Sequence, residues 1–444
     1  MKAGGLITAV VVLGILGGLV WYTGKHPVDD KKTDTPVAVK LISLDPAQIE
    51  GIRIAKAGEE PIVLKKVADI WEITEPKHLG ADSEMLGPLT GALSAISSDR
   101  VIDEHPASLK EFGLETPGFE VDVTGKGGKV YKLLTGSETP GTGNLYAKLA
   151  DDPKVYTVPS SIRSSVDKSL NDLRDKRMMT FNQNKLKSMT LAAKGPAFEF
   201  GKNEQLDWQI VKPRALRADA LQVQDLVRKL IDTRMDLTGN YDEADAAKQF
   251  AAGTKIAVAT ATDDKQSQTL EVRKAKDGSY YAKSSAVENI YKIMPDIAEG
   301  LNKSVEDYRD KRIFDFGFTD PSKLEINGQA YEKSGEKWTA NQVQFDPATI
   351  QNVIDKIRDL SAAKFSEKMA GTKTLTLAVT SGEKKRVERI TINKDSGAFN
   401  AQREGEPPVY VIEEKSMDEL QKAISGIKQQ MPAKVPAANQ DKKK

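Results

Sequence analysis

The segment Asp172-Leu-Arg-Asp-Lys-Arg177 returns 135 residues later as Asp307-Tyr-Arg-Asp-Lys-Arg312. A repeat at that distance restricts the fold severely, because each copy must close its own core and stack on the next. Other landmarks recur at nearly the same offset. Trp71-Glu-Ile73 with Pro76 returns as Trp208-Gln-Ile210 with Pro213, and Ala81-Asp82 returns as Ala218-Asp219. Tyr146-Ala-Lys148 matches Tyr281-Ala-Lys283, and Val155-Tyr156 matches Ile290-Tyr291. A third, shorter copy opens near Trp338, passes through Phe345-Asp346-Pro347, and carries Phe399-Asn-Ala401 and Val409-Tyr410. No Arg-Asp-Lys-Arg follows it, as expected of a terminal unit.

The pattern inside a copy predicts α+β modules with antiparallel sheets and packed helices. Ile52-Arg-Ile54 and Ile62-Val-Leu64 read as strands, and the tryptophan strand follows. Each Ala-Asp then opens a helix, with the aspartate as N-cap. Its apolar face is read as Met85, Leu86, Leu89, Leu93 and Ile96 in the first copy. In the second it is Leu221, Val223, Leu226, Leu230 and Ile231, and in the third Ile350, Val353, Ile354, Ile357 and Leu360. Strands at Phe119–Val123, Val130–Leu134, Tyr146–Leu149 and Val155–Val158 complete the unit, and a helix from Ser160 closes it.

Before the repeats, residues 3–23 carry no charged side chain and end on Trp21-Tyr22. About 20 apolar residues suffice to span a bilayer core, and interfacial aromatics favour its edge. No small-x-small cleavage site follows, so the stretch reads as a retained signal anchor in place of a cleaved signal peptide. The chain thus divides into an anchor (1–24), a polar linker (25–40), repeats at 41–181, 182–316 and 317–430, and a flexible basic tail (431–444).

These landmarks together resemble the DUF4340 domain family. The resemblance lies in the Trp-x-Ile strand with its proline, the Ala-Asp helix start, and Phe112-Gly113-Leu114 with Pro117. It continues through Tyr146, Val155-Tyr156 and Leu173-Arg174-Asp175-Lys176. It implies a bacterial envelope protein with an N-terminal membrane segment, associated with ABC-type transporter components. It carries over no catalytic residue.

The chemistry-bearing residues are sparse. Lys+Arg at 65 against Asp+Glu at 64 give a net charge of +1, which supplies no field for nucleic acid. The 444 residues include no cysteine and three histidines, His26, His78 and His105, which share no metal-ligand spacing. Neither a metal nor a cofactor is expected. Gly125-Lys-Gly-Gly-Lys129 lacks the phosphate-loop spacing and reads as a turn, and Thr135–Asn144 reads as a hairpin connection. Carboxylates are abundant, but nothing selects a glycosidase pair.

The repeated motif itself is the sharpest candidate: Arg174, Asp175, Lys176 and Arg177, then Arg309, Asp310, Lys311 and Arg312. Arginine offers planar, bidentate donors for a carboxylate or phosphate ligand. Equally, such charges can pair across a junction between repeats. The position of the motif between copies favours the junction. The expected function is non-enzymatic: a membrane-anchored, extracytoplasmic (periplasmic) interaction or assembly protein, accessory to an ABC-type transport or surface-export system. The alternative is an extracytoplasmic glycan-binding protein or glycan-processing hydrolase.

Overall fold

The computed structural model describes residues 38–239 and 241–430. The anchor read over residues 1–24, most of the linker at 25–40 and the tail at 431–444 lie outside the described residues. Among the described residues, no helix is long and apolar enough to cross a membrane. By its internal contacts the chain forms two units, Met1–Lys176 and Arg177–Lys444. The first holds a nine-stranded and a two-stranded sheet, the second an eight-stranded and a nine-stranded sheet.

In the first unit, strands Ile49–Lys56, Ile62–Val67, Ile70–Glu75 and Leu79–Gly80 meander from mid-sheet to one edge. Helix Ser83–Ser94 leads to the opposite edge, where Val101–Asp103 pairs. Phe119–Gly125 then returns beside Ile49–Lys56. From there Val130–Glu138, Leu145–Leu149 and Val155–Val158 meander outward to meet the edge strand. All these pairings are antiparallel. The second and third large sheets follow the same order. The third keeps the far edge strand as Lys364–Ser366, whereas the second has an isolated bridge, Asp236 to Lys292.

Local chemistry explains the recurrence. Asp82, Asp219 and Asp346 each cap a helix, accepting hydrogen bonds from Glu84, from Leu221 and Gln222, and from Ala348. These bonds satisfy amides that the first helical turn leaves unpaired. Behind each cap a stripe is buried: Leu86, Leu89 and Leu93; Val223, Leu226 and Leu230; Ile350, Val353, Ile354 and Ile357. The strands alternate as a sheet with one covered face requires, as in Phe119–Gly125, where buried and half-buried residues take turns. Trp71, Trp208 and Trp338 stand opposite Lys66, Lys202 and Lys333 on the neighbouring strand. The ammonium sits 4.9 Å from the ring of Trp208 and 5.9 Å from that of Trp338, close enough for cation–π attraction.

Several expectations need correction. Met85 and Leu221 are exposed, because helical rotation carries them off the buried stripe. Ile96 lies on strand Ala95–Ser98, paired with Val39–Ser43 instead of continuing the helix. The repeat boundaries also shift. Met178, Met179 and Phe181, read as the end of the first repeat, belong to the core of the second sheet. Ile313, Phe314 and Phe316, read as the end of the second, belong to the core of the third. Each apolar run after the charged motif therefore opens the next module. Helix Glu243–Ala252 was not anticipated; it buries Ala246 and Phe250 in a small core with Ala275 and Tyr281.

The caps yield a direct expectation. Asp219→Ala should lower stability by about 1 kcal/mol in chemical denaturation, while Asp219→Asn, which keeps a cap acceptor, should cost less. Equal losses in both variants would show that the cap does not anchor the helix.

Candidate functional site

The charged motif is built on a backbone clasp that occurs three times. In the first unit the Asp82 amide donates to the Leu173 carbonyl, and the Asp175 amide to the Gly80 carbonyl. In the second module the same bonds run from Asp219 to Tyr308 and from Asp310 to Arg217. In the third they run from Asp346 to Lys428 and from Gln430 to Gln344. The segment closing each module is thus stitched beside the N-terminus of that module's helix. A Ser-x-x-Asp capping box prepares the first two closures, with Ser169 paired to Asp172 and Ser304 to Asp307. The third copy closes through glutamines, so the backbone clasp does not need the charged side chains.

The far half of the motif grips the next helix at its end. Within the second unit, Arg177 bridges Arg234, and the Met178 amide donates to Thr233. One module later, Arg312 bridges Ser361, the Ile313 amide donates to Leu360, and the Ala362 amide donates to Lys311. In the first module, strand Val39–Ser43 takes this position, with the Leu44 amide bound to the Ser94 carbonyl.

At the seam between the second and third modules the side chains close a ring of alternating charge. Arg217 pairs with Asp310 at 2.9 Å, Asp310 with Arg312 at 2.8 Å, and Arg312 with Asp315 at 3.2 Å. Asp315 reaches Arg386 at 3.7 Å, Arg386 pairs with Glu388 at 2.6 Å, and Glu388 with Arg403 at 3.0 Å. Arg403 pairs with Glu406 at 2.7 Å, and Glu406 returns to Arg217 at 3.5 Å. Tyr410 stands inside this array; its hydroxyl donates to Glu406 at 3.0 Å and accepts from Arg217 at 3.1 Å. Beside it, buried Arg309 holds Glu306 with both carboxylate oxygens and lies 3.4 Å over the Phe365 ring. Arg214 adds a bidentate pair to Glu367 at 2.6 and 2.8 Å.

Burial and ion pairing oppose each other in these groups, and pairing sets the direction. Desolvation pushes the Glu388 carboxyl up, but Arg386, the Asp315 amide and Arg403 outweigh it and hold the pKa below the ordinary glutamate value. Burial likewise opposes the charge on Arg217, yet Tyr410, Asp310 and Glu406 overcome it and raise the pKa. The ring contains as many arginines as carboxylates, each flanked by opposite charge on both sides. Most of its donors are spent on its own carboxylates, the buried Arg217 Nε being without a hydrogen-bond partner, and this internal pairing suits a joint better than a ligand clamp.

The structure brings Arg309, Asp310 and Arg312 into this seam, while Lys311 is exposed and contributes its carbonyl. Arg174, Asp175 and Lys176 are half-buried in the first unit, and Arg177 is exposed in the second. Arg217, Arg386, Glu388, Arg403, Glu406 and Tyr410 were not identified from the sequence. For Arg217 a signal existed, since it directly precedes the Ala-Asp landmark. For Tyr410 the repeated Val-Tyr landmark was another, whereas Arg386, Glu388 and Arg403 gave none.

Elsewhere, His78 is exposed and lies 3.2 Å from Glu72. Among the described residues no group of three or more potential ligands is placed to hold a metal. A groove of about 650 Å³ on the third sheet borders the ring at Arg403 and Glu406, and is further lined by Glu325, Arg389 and Glu404 among others. Arg389 pairs with Glu325 at 3.3 Å and with Glu404 at 3.5 Å.

Against known proteins, the model of the DUF4340 domain, described as a domain of unknown function, matches residues 71–207 and again 208–378. Both matches begin on a tryptophan strand, so the sequence repeat is out of phase with the folded modules, whose second member starts at Arg177. No curated protein and no solved structure matches the chain.

Three outcomes test the ring. Asp310→Ala should lower stability by about 1–3 kcal/mol, because the largely buried Arg217 loses its 2.9 Å partner and keeps only Glu406 and Tyr410. Combined with Arg217→Ala the loss should fall short of additive by roughly 0.5–3 kcal/mol, and strict additivity would dissolve the pairing. Because the folded pKa of Glu388 is depressed, its contribution is complete above the ordinary value of 4.5 and is lost as pH falls through the lower folded value. Acid titration of Glu388→Gln should therefore show a shallower loss of stability below that pH than the parent protein.

Proposed function

The chain belongs to the DUF4340 family, and on that premise we propose that it is a membrane-anchored interaction or assembly protein of the bacterial envelope. In this reading residues 3–23 hold it in the inner membrane as a single pass. Its modules stand outside the cytoplasm as an accessory to an ABC-type transport or surface-export complex. The observation that carries the reading is the seam: charged side chains that could serve a ligand are instead consumed in fixing one sheet module against the next. Tandem modules joined in this way present extended surfaces suited to protein partners. The motif arginines accordingly act as joint residues in this proposal. The carbohydrate-active alternative gains no support from the groove on the third sheet, whose Glu325 and Glu404 share Arg389.

Photo-crosslinking of the full-length protein in its native membrane tests this. The expected adducts join it to subunits of a membrane transport system, with no glycan turnover by the purified protein. Glycan hydrolysis abolished by a single Asp or Glu substitution would replace the reading with the enzymatic one. Protease should reach the modules once the outer membrane is permeabilised, while the inner membrane remains sealed; full protection would place them in the cytoplasm.

A further inference from the structure

Among the described residues Phe318 is the most exposed large apolar side chain, at 94%. It follows Phe314 and Phe316, whose rings enter the core of the third sheet. Gly317, at a φ of +57°, turns the chain between Phe316 and Phe318, a conformation that glycine adopts without strain. Arg358, the last residue of the third capped helix, holds this turn. Its Nε donates to the Gly317 carbonyl at 2.7 Å. Its guanidinium lies 5.4 Å from the Phe316 ring and 5.8 Å from the Phe318 ring. In the second module the residue in the place of Phe318 is Gln183, at the same spacing from its motif arginine. The exposed ring therefore belongs to the third module and not to the frame that the two modules share.

Beside the ring lies a hollow of about 220 Å³, lined by Phe314, Phe316, Phe318, Arg312, Arg358 and Asp359 among others. A cavity of about 150 Å³ with apolar walls holds a benzene molecule, so this hollow has room for a phenyl ring. Its chemistry disfavours an anion. The in-plane donors of Arg312 go to Asp310 and Asp315. Those of Arg358 go to Asp355, Asp320 and the Gly317 carbonyl. What remains is the flat faces of the guanidinium groups and the phenyl walls, and both attract an aromatic ring. Phe318 forms part of the wall, so its own ring is not the one received.

We propose that this face joins two copies of the chain about a two-fold axis, each Phe318 seated in the hollow beside the other. Knob and hollow adjoin on one surface, which is the self-complementary arrangement that an isologous contact requires. The rim is self-complementary in charge as well. Arg312 and Asp359 are both exposed, and Asp359 pairs with no cation among the described residues. Across the axis, Asp359 of one copy meets Arg312 of the other. The inference goes beyond the assembly reading and stands without it, since the occupant is the chain itself.

The test places a benzoylphenylalanine crosslinker at Phe318 of the full-length protein in cells, beside a differently tagged copy that lacks the probe. The expected adduct joins the two tags and maps to residues 312–317 or 358–359. In sedimentation of the purified full-length protein, Phe318→Ser should weaken self-association about tenfold or more, as expected on losing a buried aromatic anchor. Phe318→Tyr should retain most of the association, and Asp359→Arg should weaken it. Under dilution to the monomer, Phe318→Ser should melt at the same temperature as the parent, because the ring is exposed within one copy. No adduct, an adduct within one copy, or an adduct to a different protein alone overturns the proposal. So does unchanged self-association in Phe318→Ser. A marked fall in the melting temperature of the monomeric variant overturns it too, since the ring would then serve the fold.

Discussion

The structure depends on a pair of backbone hydrogen bonds that tie the closing segment of each module to the start of its own helix. Asp82, Asp219 and Asp346 perform two tasks at that point. Their carboxylates satisfy the exposed amides of the helix, and their own amides hold the returning chain. A module that lost this bond would release the strand that leads onward, and its helix would lose its orientation against the sheet. Because the bond is made by main-chain atoms, it tolerates Leu173, Tyr308 or Lys428 as acceptor. The charged side chains can then be used for what lies between modules.

At the second seam they are used in a closed ring. Burying Arg217, Asp310, Glu388 and Arg403 costs desolvation that an apolar seam of equal volume would avoid. The ring contributes geometric restriction instead. Four guanidinium groups with fixed donor directions accept one relative placement of the carboxylates, whereas an apolar contact accepts many. Glu388 and Arg403 come from different strands of the third sheet, and Arg217 comes from the second. One register of module on module therefore satisfies all of them.

Much of this was legible in the sequence, and the reasons differ by element. The Asp caps and the helices behind them were readable because capping and apolar period are local. The strands around Phe119, Val130 and Tyr146 were readable because alternation is local too. The boundaries were misplaced by a few residues, since the apolar run Met178-Met179 adjoins the motif in sequence but enters the next core. Membership of a core is a tertiary fact that no window reports. The ring was half visible: Asp310 and Arg312 stood out by repetition, while Glu388, a buried charge, and the half-buried Arg403 sit on strands whose local pattern does not announce them. Helix Glu243–Ala252 was obscured because the first copy offers only a short turn, Lys110–Phe112, in that place.

Strand Val39–Ser43 occupies on the first module the position that Arg177 and Met178 occupy on the second, and Arg312 and Ile313 on the third. All three modules are therefore approached through the same socket and left through the same clasp. An unequal genetic exchange between the two copies of the motif would delete or insert one whole module in frame, and every socket and clasp would still find its counterpart. Gene length in such a lineage is free to change by whole modules. Relatives whose lengths step by about one module would carry the trace of that history.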